Sequence, residues 1–174
     1  MAVIETIDLK KIYTSGRNIT TDALRGVSIK IAAGEFLAIA GPSGSGKSTL
    51  LNLMGALDTP TNGAIVHDGR DITNTDIRRL AAFRLHNIGF VFQSYNLIST
   101  LTAIENVEYI MLLQGVPARD RLRRASDILM RVGLKDYLHR FPNEMSGGQQ
   151  QRVAVARAIA AQPRVVMADE PTAN

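Results

Sequence analysis

Two short stretches of this chain have the residue types and spacing to hold phosphate. The first runs Gly41-Pro42-Ser43-Gly44-Ser45-Gly46-Lys47-Ser48-Thr49 and matches G-x-x-x-x-G-K-[ST] in full from Gly41 to Ser48. Glycines at this spacing let a backbone wrap closely around phosphate oxygens. Successive N–H groups and a helix N-terminus then supply positive potential without desolvating a charged side chain. In such a loop Lys47 reaches the β- and γ-phosphates of a nucleoside triphosphate, and the Ser48 hydroxyl sits on Mg2+. The bland alternative is a Gly/Ser-rich turn. A phosphate loop taken singly does not separate a transporter motor from a kinase or a GTPase.

The second stretch is Ser146-Gly147-Gly148-Gln149, followed by Gln150-Gln151-Arg152. Two glycines at the opening of a helix expose its first amides and make a second anion-binding end, which the first phosphate site does not need. A glycine-softened helix start is the alternative, but it calls for neither the serine before nor the glutamine after. Between these stretches and the C-terminus lies an acidic pair. Asp169 follows the apolar run Val165-Val166-Met167-Ala168 and so falls at the carboxyl end of a strand, where α/β sheets place ligands. An Asp there holds Mg2+ through water, and Glu170 beside it is placed to orient and deprotonate an attacking water. Two ordinary solvated acids are the alternative, weakened by the complete phosphate loop in the same chain.

The elements that must position these residues follow from periodicity. Residues 3–12 alternate loosely and read as an edge strand, and Val27–Ile31 alternates more cleanly before a turn at Ala32-Ala33-Gly34. Phe36–Ala40 is wholly apolar and predicts a buried strand that ends at Gly41, with a helix beginning near Lys47. Ala64–Val66 with Asp68-Gly69 predicts a hairpin. Residues 76–86 predict a helix with Ile77, Leu80, Ala81 and Leu85 on one face, and Ile88–Phe92 a second buried strand ending at Gln93. From Thr102 to about Arg140 the pattern is helical, broken at Gly115-Val116-Pro117 and at Gly133, with Pro117 suited to the first turn of a new helix. Ser146 is a plausible N-cap for a helix to about Ala161, ended by Pro163, and Val165–Ala168 is a third buried strand. Buried strands alternating with helices predict a mostly parallel α/β sheet.

Composition bounds the class. The 174 residues are 45% hydrophobic and 21% charged, as in an ordinary globular domain. The sequence has no cysteine, so neither disulfides nor thiolate metal sites form. The N-terminus lacks the pattern of a signal peptide, and no apolar run approaches the roughly 20 residues that span a bilayer. A soluble protein is expected, serving any membrane from its cytoplasmic side. The net charge of +4 owes much to Arg119, Arg121, Arg123 and Arg124. No aromatic residues interleave with them to stack bases, and Asp120 and Asp127 do, so they read as a solvated helix face and no nucleic-acid partner is expected.

With these motifs in hand, the sequence resembles the nucleotide-binding domain of ATP-binding cassette transporters essentially from end to end. The combination of the phosphate loop with Ser146-Gly147-Gly148-Gln149 is highly specific. Val91–Ile98, Leu101–Val107 and Asp169-Glu170-Pro171-Thr172 look most like the branch that serves lipoprotein release and macrolide export. The resemblance implies a P-loop NTPase fold: a RecA-like core sheet, an N-terminal antiparallel β subdomain, and an inserted helical signature subdomain over about 94–145 of a single domain 1–174. It implies that Tyr13 stacks on adenine, where the alternative is a packing tyrosine at a strand end. It implies that Gln93 senses Mg2+ and the nucleophilic water. Ser146, Gly148 and Gln149 would grip the γ-phosphate held by an opposite subunit, so that two ATP molecules lie between two head-to-tail domains. The segment from Ser94 to Leu97, with the helices to Arg140, would receive a cytoplasmic coupling helix of membrane permease subunits. ATP and Mg2+ are the implied cofactors, and the cytoplasmic face of the inner membrane the implied location.

The chain departs from the family in three places. Met145 replaces the usual Leu before the signature serine, a flexible apolar exchange of little expected effect. Ala173 stands where this branch commonly has Gly. The family pattern also continues past Glu170 into a D-loop Asp, a further strand between the two motif-bearing strands, and a switch histidine. The histidines here, His67, His86 and His139, all precede Asp169. A C-terminally truncated ATPase is therefore expected, with open strand edges and marginal stability or a tendency to associate. A remnant that binds ATP without turning it over, and a soluble cassette ATPase acting on nucleic acid or ribosomes, are the competing readings.

Overall fold

The computed structural model describes residues 2–16 and 19–170 in two compact units, 1–82 and 83–174. Pro171 and Thr172 of the acidic motif, and Ala173, lie outside the described residues.

In the first unit β1 (Ala2–Ser15) and β2 (Ile19–Ala32) form a long antiparallel hairpin, and β3 (Asn62–His67) and β4 (Arg70–Asp71) complete a sheet in the order β2-β1-β3-β4. β1 is thus an interior strand, not the edge strand its loose alternation predicts. Bulges between Thr6 and Leu9, where Asp8 adopts φ +44°, break its period and hide two-sided pairing from the sequence. The β3–β4 hairpin turns at Asp68-Gly69 with both φ positive, as the Asp-Gly pair predicts. Helix α1 (Lys47–Met54) lays Leu50, Leu53 and Met54 into a core with Ile4, Leu9, Leu24 and Ile65. Its partners on the sheet are β1 and β2.

The expected buried strand Phe36–Ala40 does not form. The segment joins no ladder and Phe36 is 94% exposed. Apolar residues supply β propensity, but a strand exists only where a neighbour takes its backbone N–H and C=O groups, and none of the described residues does so here.

Helix α2 (Ile77–Asn87) follows the expected bounds to within a residue, but it buries only Leu80 of the four residues expected on one face. Ile77 and Ala81 are exposed and Leu85 is half-buried. Three arginines in eleven residues leave the apolar stripe too thin to bury as a whole.

In the second unit β5 (Ile88–Val91) pairs in parallel with β6 (Val165–Ala168), Val91 opposite Ala168. β6 is less buried than predicted: Met167 is buried, Val166 is 49% exposed, and among the described residues no strand lies on its other edge. Helices α3 (Ala103–Leu113), α4 (Ala118–Arg131) and α5 (Gly147–Ala160) surround a core of Ile104, Val107, Met111, Leu129, Met145 and Val153. The break at 115–117 and the stop at Gly133 fall where the sequence places them. Met145 packs into this core, as an apolar exchange should. β5 runs so close to α5 that a Cβ on Gly89 would collide with the Ala158 carbonyl. Three of the five arginines of α4 are occupied: Arg123 pairs with Asp120, while Arg121 and Arg124 donate to the carbonyls of Val116 and Ala160.

Candidate nucleotide site

The phosphate loop of the first unit is built by glycine. Gly44 and Gly46 have φ +77° and +91°, values that side chains oppose. Gly46 is also the N-cap of α1 and lies against β2: a Cβ there would meet the Ala23 carbonyl oxygen at 2.5 Å and Leu24 Cδ2 at 2.9 Å. A Cβ on Gly41 would meet Ser45 Oγ at 2.8 Å. Lys47 folds back over the loop and its Nζ donates to the carbonyls of Gly41 and Pro42, each at 3.0 Å. Ser48 and Thr49 stand in the first turn of α1, behind Ser43, Gly44 and Ser45, which are exposed. Gly46 at the N-cap makes no side-chain cap to α1, and the helix N-terminus directs its positive potential at the loop.

Tyr13, on β1, is 42% exposed and tied to the same unit. Its hydroxyl donates to Asp58 Oδ2 at 2.9 Å and hydrogen bonds with Thr49 of α1. Lys11 Nζ lies 4.9 Å from its ring centroid and bonds Asp58 Oδ1 at 2.8 Å. Burial, and then the bond to Asp58, raise the Tyr13 pKa. Burial opposes ionisation of Asp58, but the bonds from Lys11, Thr59 and Tyr13 outweigh it and hold that carboxyl below its ordinary value. Tyr13 is therefore a half-exposed ring anchored by its hydroxyl to the helix that starts at the phosphate loop.

In the second unit the acidic pair falls at the carboxyl ends of β5 and β6. Asp169 N–H donates to Val91 O at 3.0 Å, one step past the last strand pair. The chain then turns sharply, Glu170 adopting φ +45°, and Gln93 Nε2 donates to Glu170 Oε2 at 3.1 Å. Sequence reasoning placed Gln93 and Glu170 in one reaction from separate motifs; the structure puts them in contact.

The signature stretch opens α5 with a reciprocal cap. Ser146 Oγ accepts from the Gln149 N–H at 3.3 Å, and Gln149 Oε1 accepts from the Ser146 N–H at 2.8 Å. The amides of Gly147 and Gly148 fall inside this box, and a Cβ on Gly148 would meet nothing within 4 Å. Gly147 is crowded: its Cβ would lie 3.1 Å from the Tyr95 hydroxyl.

Two residues that shape the site were not singled out from the sequence. Asn106 is fully buried on α3, where its amide accepts from Ile98 N–H and donates to the carbonyls of Ile98, Leu101 and Thr102. Arg157 of α5 donates to Asn96 O at 2.6 Å and Tyr95 O at 2.8 Å, and burial lowers its pKa. A signal for both existed: a lone polar residue inside an apolar helix stripe is buried only if paired.

Comparison with known proteins gives the family of the chain. The ABC transporter family model matches residues 24–173. An ABC transporter ATP-binding protein of Thermotoga maritima is 55% identical over 99% of this chain and 73% of its own length. The lipoprotein-releasing system ATP-binding protein LolD of Geobacter metallireducens is 46% identical over 99% of this chain and 76% of its own length. Among solved structures, the dimeric post-hydrolysis state of the ATP-binding cassette MJ0796 bound to ADP and Pi superposes with a TM-score of 0.91 at 42% identity, covering 98% of this chain and 75% of that one.

Proposed function

Because this chain belongs to the ATP-binding cassette transporter family, whose members are ATPases with a P-loop fold, we propose that it is the ATP-hydrolysing subunit of a transporter of the lipoprotein-release or macrolide-export branch. The observation that carries the hydrolytic part is the bond from Gln93 to Glu170 at the carboxyl ends of β5 and β6. It presents one carboxylate and one amide to the space where a water would attack.

The loop 41–49 binds the triphosphate through its amides. The donor set fits: a helix N-terminus with no side-chain cap from Gly46, glycines at φ +77° and +91° that shape the loop, and the Lys47 ammonium already lying over the loop carbonyls. Lys47 stabilises charge on the β- and γ-phosphates. In the first unit the Ser48 hydroxyl would serve Mg2+, which would supply neutralisation of phosphate charge; in the second unit the Asp169 carboxylate and the Gln93 amide are the donors suited to such an ion. Glu170 accepts the proton of the attacking water, and its bond to Gln93 fixes the carboxylate for that transfer. Tyr13 offers its ring to adenine. Ser146, Gly148 and Gln149 contact the phosphate bound by a second copy, a reading supported by the dimeric structure of the MJ0796 cassette. The loop 94–97 and the helices to Arg140 dock membrane permease subunits. None of the described helices is long and apolar enough to cross a membrane, in keeping with a peripheral subunit at the cytoplasmic face.

Calorimetry of Mg-ATP with this chain tests the reading. Saturable binding is expected, weakened about 30- to 150-fold in Lys47→Ala, the worth of a charge-assisted contact of about 2–3 kcal/mol. Equal binding by the variant would overturn the phosphate-loop assignment. Co-purification with a membrane permease tests the transport assignment.

A further inference from the structure

The loop after Gln93 is held in an unusual way. Tyr95 and Asn96 adopt successive left-handed conformations, φ +55° and +47°, which non-glycine residues rarely do. The carbonyls of both residues accept from the two terminal nitrogens of one guanidinium, that of Arg157 on α5. The fork geometry of arginine suits two neighbouring acceptors, and the point charge of lysine does not. The same loop touches the opening of α5, where the Tyr95 hydroxyl lies against Gly147, the residue after Ser146. Its far end is fixed by the Asn106 amide at Ile98 and Leu101. At its near end Gln93 holds Glu170.

Arg157 is half-buried, and its two terminal nitrogens fasten the backbone just beyond Gln93 to the helix that begins with the signature residues. We propose that Arg157 is a positioning residue: by clamping Tyr95 and Asn96 to α5 it makes Gln93, and through it Glu170, follow the opening of the signature helix. A phosphate engaging Ser146 and Gly148 then adjusts the carboxylate that takes the water's proton. This rests on the roles given above to Gln93 and Glu170.

The clamp predicts a loss in turnover rather than in nucleotide affinity. In the full-length chain Arg157→Lys should lower kcat about tenfold or more, the scale on which small misplacements of catalytic groups act, and leave the Kd for Mg-ATP within about twofold. Asn96→Val, which keeps the arginine but whose β-branched side chain opposes φ +47°, should tilt the same loop out of its clamped conformation and lower kcat in the same direction, even if Arg157→Lys does not fold. The double variant Gln93→Ala/Arg157→Lys should be no slower than Gln93→Ala within about twofold, because the second change acts through the first. Amide exchange of 93–98 and of 146–150 should rise together in Arg157→Lys.

A merely structural arginine gives rate losses that multiply in the double variant and exchange that rises throughout the unit; either result overturns the proposal, as does unchanged kcat in both single variants. If Gln93→Ala by itself leaves turnover intact, the role of Gln93 fails. The clamp is then judged on exchange: a joint rise confined to the two segments supports it, and a rise in one segment only overturns it.

Discussion

The phosphate loop and the region around Gln93 are built by opposite means. Residues 41–49 are shaped by their own backbone: glycines take the positive φ values, and Lys47 bonds carbonyls five and six residues away. The end proposed for hydrolysis is assembled from side chains that reach 61, 62 and 77 residues along the chain, from Arg157 to Asn96 and Tyr95 and from Gln93 to Glu170. An anion cradle needs little beyond close amides, and a short motif supplies them. Aligning a carboxylate with a water needs distant segments held in register. The first should survive damage elsewhere in the protein, and the second should not.

The sharpest way to break this contrast is at Glu170. Glu170→Gln keeps size and hydrogen bonding to Gln93 but removes the base. Turnover is expected to fall about 10²- to 10⁴-fold while Mg-ATP binding stays, since general-base catalysis carries a factor of that order. Loss of binding together with turnover would show that the two regions are not separable, and unchanged turnover would remove Glu170 as the base.

Next in size is Asn106. Asn106→Ala strands the Ile98 N–H and the Leu101 carbonyl beside a fully buried site, while the Ile98 and Thr102 carbonyls keep the backbone N–H groups of Leu101 and Asn106. Each abandoned buried group costs about 1–3 kcal/mol where water does not reach it, so a net loss of about 3 kcal/mol in unfolding free energy is expected, with nucleotide affinity retained. Denaturant melts and calorimetry on the same preparation measure both.

The same contrast explains what could be read from the sequence. The glycine spacing at 41–46, the Asp68-Gly69 hairpin turn and the helix start at Ser146 are local rules, and each lies where the pattern puts it. Phe36–Ala40 misled because hydrophobicity records a wish to be covered, not the presence of a partner strand. β1 was assigned to an edge because bulges at Asp8 scrambled its period. Arg157 and Asn106 were passed over because their partners are backbone carbonyls, which no sequence motif marks.

A smaller perturbation tests the local side. Gly46→Ala places a Cβ against the Ala23 carbonyl at a residue with φ +91°. About 2 kcal/mol of destabilisation is expected from the backbone strain, with weaker nucleotide binding because the loop must open to relieve the clash. A melt indistinguishable from the parent would mean the loop is looser than its geometry.

The smallest effects separate two caps of the same design. Thr102 and Glu105 cap α3 through the Glu105 carboxylate, while Ser146 and Gln149 cap α5 through a neutral amide. Either cap, removed by Thr102→Ala or Ser146→Ala, is worth about 1 kcal/mol. Their pH dependence differs. The Glu105 pKa is lowered by the Thr102 side chain, then by the Thr102 backbone N–H, with burial opposing and His139 adding a favourable charge. A carboxyl whose pKa falls on folding stabilises fully above its unfolded value, about 4.3, and that stabilisation fades as pH falls through the lower folded value. Amide exchange at the start of α3 should therefore quicken below about pH 4, while the start of α5 holds, since an amide does not titrate. The proposed phosphate contact gives the neutral cap a chemical rationale: a carboxylate at 149 would cap as well but would repel a phosphate engaging Ser146 and Gly148. Gln149→Glu should keep α5 stable at neutral pH, make its cap acid-sensitive like that of α3, and weaken ATP-driven dimerisation in sedimentation. Dimerisation as strong as the parent's would remove the electrostatic reason for glutamine there.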